Sequence, residues 1–438
     1  MPYCRDVMEI KPFKAFRYDQ AVVGDVGSCI APPYDVISAA QQQRLYEKNE
    51  HNIIRVIKGK TSPSDNDRNN QYTRAAESLN GWIEKGALKQ DTKENIYAYV
   101  QDFDLNGMRL QRFSFIASAR LEQFGRIVRP HEQIMEEPMA DRLKLKKTTG
   151  AQFGLVFMLY EDPENIAERV IESAMAGKPL IDHTDENNVR HRIFAVSEHS
   201  DIEVIEKMMQ DKSCIIADGH HRYTTALAYA KENPNPAARY LMCAFANTCH
   251  EGLVILATHR LVGNINEFEF EKFIAQLRTD FELAEFGFDS PQNKFEALQK
   301  MLATNKVTCD QGKTGFGIYG GTNSFYLAVL KNKRAMDSLA TDKSNAWRTL
   351  DVSVLHKLVL EQLLALDESA NLKYVKGRPD AIDEMLTAVD KANMQIAFFM
   401  NPVTAEQLKA VTDAGERMPQ KSTYFYPKVY TGLTISKL

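Results

Sequence analysis

The sequence predicts a mixed α/β (α+β) fold divided between two domains. Three observations carry this. Short apolar runs of strand length alternate with helix-length amphipathic runs from end to end. The chain has 438 residues, more than one ordinary core serves. Its composition, 44% hydrophobic and 26% charged, is globular rather than disordered. The boundary falls near residue 265, where the last motif-bearing strand ends, giving domains of 1–265 and 266–438.

The elements follow in order. Residues 10–16 read as an opening strand, and 31–36 (Ala-Pro-Pro-Tyr-Asp-Val) as an extended loop stiffened by its prolines. Ser38 caps a helix that runs to about Asn49. The polar loop 61–69 leads into a helix over about 71–85. Residues 97–103 and 108–119 form a hairpin, with Leu105-Asn106-Gly107 supplying the turn. The stretch 129–150 is charge-rich and shows no clean period. A strand over 151–160, a helix over 163–176, a strand over 192–196 and a helix over 202–210 follow. Strands are expected near 213–216, 240–246, 253–258, 315–319, 324–330, 372–376 and 395–400. Helices are expected near 267–279, 291–303, 351–366, 379–391 and 404–414.

Several function classes are excluded at this level. The net charge of -4 gives no basic excess for nucleic acid. No apolar run reaches the ~20 residues of a membrane helix. Residues 1–6 carry no secretory h-region. Six scattered cysteines, at 4, 29, 214, 243, 249 and 309, form no C-x-x-C pair, so a reduced cytoplasmic setting is expected. Cys214 and Cys243 read as core residues. Gly59-Lys60-Thr61 and Gly312-Lys313-Thr314 lack the earlier glycine of a P-loop. Gly315-Phe316-Gly317-Ile318-Tyr319-Gly320 matches G-x-G-x-x-G, but a strand follows it where a dinucleotide site needs a helix, so a hairpin is expected.

The most informative stretch is Ala217-Asp218-Gly219-His220-His221-Arg222-Tyr223. An apolar strand precedes it and a helical run follows. Gly219 permits a sharp turn and close approach of a ligand. The helix end beyond it offers amides and a favourable dipole to an anion. His220, His221 and Arg222 suit phosphate oxygens, and Asp218 suits a metal ion or a proton. Asp218 also reads as a plain N-cap, with the histidines as surface residues.

Three further clusters bear chemistry. Arg129-Pro130-His131-Glu132 sets a histidine beside a carboxylate able to act as a base. Ten residues on, Asp141-Arg142-Leu143-Lys144-Leu145-Lys146-Lys147 adds cations, and the competing reading is a solvated loop. Thr258-His259-Arg260 stands at a strand end and reads equally as a ligand site or a salt-bridged rim. Residues 418–428 crowd Lys421, Ser422 and Thr423 against Tyr424, Phe425 and Tyr426. So aromatic a segment packs on the body, as a phosphate contact or as a docking strand.

Taken together, A-P-P-Y-D-V (31–36), P-H-E (130–132), A-D-G-H-H-R-Y (217–223), T-H-R (258–260) and M-P-Q-K-S-T-Y-F-Y-P-K (418–428) resemble, in order and spacing, a bacterial family long catalogued as a domain of unknown function. The turn is also similar to the phosphate-binding turn of the ParB/sulfiredoxin-like superfamily. The resemblance implies a ParB/sulfiredoxin-like catalytic core and a pyrophosphate-dependent kinase acting on free L-serine. Its product would be O-phospho-L-serine, a compound of serine metabolism and cysteine biosynthesis. It further implies Mg²⁺ held by Asp218, and catalysis by Asp218, Glu132 and His131. Phosphate would be bound by Gly219, His220, His221, Arg222, Arg142, Lys144, Lys421, Ser422 and Thr423. Serine would be held by Tyr34, Asp35, Thr258, His259 and Arg260. The expected partners are thus small molecules, with neither nucleic acid nor membrane. Alternatives are an ADP- or ATP-dependent serine kinase, a non-enzymatic nucleotide-binding regulator of ParB type, and a phosphatase running the transfer backwards.

Overall fold

The structure, a computed structural model, describes residues 7–133 and 136–438. Cys4 and the opening 1–6 lie outside the described residues. The described residues of Met1–Pro130, Ile134–Val254 and Pro427–Leu438 form one compact unit, and those of His131–Gln133 and Ile255–Tyr426 form a second.

The first unit is organised on the expected hairpin, Ile96–Leu105 with Met108–Arg120. Asn106 (φ 51°) and Gly107 (φ 79°) close it, both left-handed as a two-residue hairpin turn requires. Arg190–Val196 and then Ile181–Thr184 extend the sheet on one side. Tyr240–Asn247, Val156–Tyr160, Cys214–Asp218 and Val128–Pro130 extend it on the other. All five residues of Val156–Tyr160 are buried. That is why the run reads as continuously apolar rather than alternating. Helices Ile166–Met175 and His199–Met209 cover this sheet through Val170, Ile171, Ile205 and Met209. A second cluster gathers Ile53, Ile54, Leu79, Trp82, Leu145 and Phe153.

The mixed α/β class is as expected, and most elements fall within a few residues of their predicted bounds. Ser38 and Asn70 cap helices Ala39–Lys48 and Gln71–Glu84 through their side chains. The main correction lies at 129–150, where no period was read: Glu136–Thr149 is a helix. Its inward residues are Arg142, Leu145, Lys146 and Thr149, the last three buried. These positions share one helical face, but most are polar, so the apolar period is missing. The predicted strand 151–160 is two strands, Ala151–Gln152 and Val156–Tyr160.

In the second unit a six-stranded antiparallel sheet runs Phe281–Gly287, Ser324–Leu330, Gly315–Tyr319, Ile396–Phe399, Thr258–Gly263, Asn371–Lys376. The G-x-G-x-x-G stretch is indeed a hairpin strand, with Gly315 opposite Val329. A Cβ on Gly317 would fall 2.3 Å from Met301 Sδ, so that glycine serves close helix–sheet packing. Phe281–Gly287 escaped the sequence reading because only its first residue is buried. Cys29, Cys214 and Cys243 are buried free thiols. No helix among the described residues is long and apolar enough to cross a membrane.

Candidate active site

Strand Cys214–Asp218 carries Asp218 at its end, and helix His220–Glu232 begins two residues later. Between them Gly219 adopts φ +94°, a left-handed conformation costly for any other residue. A Cβ there would also crowd Arg222 Cζ at 3.1 Å. The helix starts earlier than expected, so His220, His221 and Arg222 occupy its first turn. Gly219 is the N-cap and no side chain caps the helix, which sets aside the reading of Asp218 as a plain cap.

Asp218 instead meets two cations. Its Oδ2 accepts from Arg222 Nη2 at 3.3 Å and lies 3.6 Å from Lys428 Nζ. Burial alone would raise its pKa. The charges of Lys428, Arg222 and His220, with the Gly219 amide, outweigh burial and hold the carboxyl well below the usual carboxylate range. Arg222 also donates to the Leu155 carbonyl. His220 is buried and His221 half-buried.

Lys428 arrives on the returning C-terminal segment, which the first unit grips by its backbone. Buried Arg112 donates to the Pro427 carbonyl at 2.6 Å and Gln101 Nε2 to the Lys428 carbonyl at 3.0 Å. Tyr430 donates its hydroxyl to Asp185 Oδ2 at 2.8 Å. Ala31 and Thr431 exchange backbone hydrogen bonds. The A-P-P-Y-D-V motif and the tail therefore brace each other.

Beside the turn lies a cleft enclosing about 590 Å³ of non-protein space, its mouth included. Tyr34, Arg142, Lys146, Gly154, Arg222 and Thr431 are among its lining. Arg142 lies over the Tyr34 ring at 4.1 Å and donates to Asp141 and to the Ile57 carbonyl, each at 2.7 Å. Tyr34 and Arg142 are thus brought together with Arg222. Lys144 is exposed and absent from the lining; Lys146, two residues on and about 200° round the helix, takes its place. Asp35 is exposed on the short turn Tyr34–Val36.

The remaining predicted residues belong to the second unit. His131 is buried, and its Nε2 lies 2.8 Å from Thr423 Oγ1. Glu132 accepts from the Lys421 amide at 3.1 Å, and Ser422 donates to the Pro419 carbonyl. Arg260 is 1% exposed; it donates to the Thr258 carbonyl, to Lys421 O at 3.1 Å and to Gln420 O at 3.4 Å. His259 Nδ1 accepts from the Met400 amide at 3.0 Å, and burial pushes its pKa down to about 4. This cluster builds and fastens the loop bearing Lys421, Ser422 and Thr423.

Two residues stand inside runs singled out in the sequence but were given no role there. Lys428 closes the C-terminal motif, and only the fold shows that the tail carries it to Asp218. Lys146 needed the helix at 136–149 to be recognised. Among the described residues, no three His, Cys, Asp or Glu side chains cluster as a metal set. Asp218 is the one carboxylate of the turn.

Residues 10–353 match the family described as "Protein of unknown function (DUF1015)". The chain belongs to this family. The motif resemblance is thereby established as family membership over most of the chain. No curated protein matches the sequence. Among solved structures, a conserved hypothetical protein from Pyrococcus furiosus is 14% identical, covering 71% of this chain and 91% of its own at a TM-score of 0.33. A free serine kinase in complex with AMP is 13% identical over 68% of this chain and 83% of its own, with a TM-score of 0.33. SbnI with C-terminal truncation from Staphylococcus aureus is 9% identical over 72% and 84%, with a TM-score of 0.34.

Proposed function

We propose that this protein is a phosphotransferase that converts free L-serine to O-phospho-L-serine, with pyrophosphate as donor. The observation that supports it is the strand–glycine–helix turn at 218–222. There a left-handed glycine, a helix N-terminus and the cations Arg222 and Lys428 surround one carboxylate. Such a turn favours a compact polyanion, and pyrophosphate needs no base or sugar pocket.

In the proposed transfer the serine oxygen bonds to phosphorus as the bridging P–O bond breaks. Orthophosphate leaves and carries the hydroxyl proton, so atoms and charge balance. The chain's contribution is positioning and charge neutralisation. Asp218, held low by Lys428 and Arg222 against the effect of burial, is a weak proton acceptor. Its role is to orient those cations and to take part in binding Mg²⁺. One carboxylate suffices for Mg²⁺ when donor oxygens and water complete the set. Bound there, the metal would neutralise charge on the transferred group.

The test incubates purified protein with Mg²⁺, L-serine and, in separate arms, pyrophosphate, ADP or ATP, with phosphoserine read by mass spectrometry. Phosphoserine from pyrophosphate alone supports the reading. Product only with ADP or ATP replaces the donor. Nucleotide affinity without product in any arm points to the regulator of ParB type.

A further inference from the structure

We propose that Lys146 is the anion-receiving residue of the first unit's cleft, and that the cleft binds a compact anion of the phosphate class. Four observations meet here. The Lys146 side chain lines the cleft and is 7% exposed. Among the described residues it makes no hydrogen bond and no ion pair; its Nζ lies 5.2 Å from the Tyr229 ring, and the buried Cys243 thiol is the titratable group that faces it. A buried ammonium without a counter-ion is costly, and such groups are rarely kept without one. Arg142 and Arg222 line the same cleft, and no carboxylate does.

The charges define the ligand. Arg142 is matched by Asp141 and Arg222 by Asp218, while Lys146 has no ion-pair partner among the described residues. The lining therefore carries one unmatched positive charge beside two guanidinium groups. A zwitterionic amino acid would need a carboxylate for its ammonium, and the lining offers none. The apolar walls, Ile57, Leu145, Phe153 and Leu241, lower the local dielectric and so strengthen an ionic contact. Burial lowers the Lys146 amine to about 8, so it is still mostly charged at pH 7, and a bound anion would raise it again. The geometry and the charge count stand without phosphoryl transfer, so this inference does not depend on the proposed activity.

The test is calorimetric titration of the full chain at pH 7 with inorganic phosphate, pyrophosphate and ADP in separate arms. The parent, Lys146→Met and Lys147→Met are compared. Lys146→Met keeps the length and burial of the side chain and removes the charge; Lys147→Met makes the same change on the exposed face of the same helix. The expected result is binding of at least one of the three anions by the parent, weakened at least tenfold in Lys146→Met and unchanged in Lys147→Met. The arms show whether free phosphate, pyrophosphate or a nucleotide's phosphates supply the anion. Equal affinity of Lys146→Met and parent overturns the inference, as does a parent that binds none of the three. Phosphoserine formation by both parent and Lys146→Met, with equal anion affinity, would defeat this inference and leave the proposed activity standing. Lys146-dependent binding without phosphoserine would do the reverse.

Discussion

Two regions rich in cations and motif residues contrast sharply. In the first unit, Lys146 lines the cleft with no ion-pair partner among the described residues, and Arg222 and Lys428 both meet Asp218. In the second, Arg260 gives its donors to the carbonyls of Thr258, Gln420 and Lys421, and His259 takes the Met400 amide. The residue types are alike and their use is not. A cation whose donors are engaged by backbone carbonyls fastens a loop; a cation left with surplus charge beside a cleft attracts a ligand. A polar motif in sequence therefore announces constraint, and the bonding pattern decides whether that constraint is chemical or architectural.

The contrast breaks first at Asp218. Asp218→Asn keeps the shape of the turn but removes the charge that orients Arg222 and Lys428. Phosphoserine formation is expected to fall by about 10²–10³, the scale for losing one organised electrostatic contact. Circular dichroism should show an unchanged fold. Full activity would remove Asp218 from the site.

Arg260→Met tests the other side. It leaves the Gln420 and Lys421 carbonyls without their buried donor, and a loss of about 3 kcal/mol in unfolding free energy is expected. Anion binding by the first unit should persist in the folded variant. A stability unchanged in urea titration, with anion binding lost, would reverse the roles assigned to the two regions.

These assignments mark where the sequence was legible. Strands such as 315–319 and the turn at Gly219 announce themselves because their residues answer to local rules: an apolar period, or a φ that only glycine adopts easily. The helix Glu136–Thr149 was illegible because its inward face is Arg142, Leu145, Lys146 and Thr149. A helix whose inward face lines a cleft with charged side chains loses the apolar stripe by which helices are read. The site residues divide likewise. Asp218, Arg222 and Tyr34 stood out within motifs. Lys428 could be placed only by the long-range bonds from Arg112 and Gln101, whose partners lie over 300 residues away.

Lys146→Met should also raise stability, which separates a ligand-binding cation from a structural one. The folded-state amine titrates near 8 because it is buried, below the ~10.4 of an unfolded lysine. Between those values the unfolded chain binds more protons, so this group's contribution to stability increases as pH rises from about 8 to 10.4. At pH 7 its burial costs the parent ~1–3 kcal/mol, and Lys146→Met should be more stable by that amount. The difference should vanish above pH ~10.5. Chemical denaturation at pH 7 and pH 10.5 checks both points. A destabilised variant at pH 7 would make Lys146 a structural cation like Arg260.

The smallest effect concerns the tail that delivers Lys428. Asp185 accepts from Tyr430, from His191 Nε2 at 3.3 Å and from the amides of Asn187 and Val189. Burial opposes ionisation there, but these donors, His191 foremost, hold the carboxyl down to about 2. A depressed carboxyl contributes stability that is fully present above its unfolded pKa of ~3.9 and is lost as pH falls towards 2. Tyr430→Phe removes one donor to the charged form. It should cost about 1 kcal/mol at pH 7, and the gap to the parent should shrink between pH 4 and 2 as the carboxyl gains its proton. Unfolding midpoints measured across that window give the result. No gap at any pH would mean that the tail is held by packing of the ring against His191, whose centroid lies 4.2 Å away and which phenylalanine keeps, rather than by the charge of Asp185.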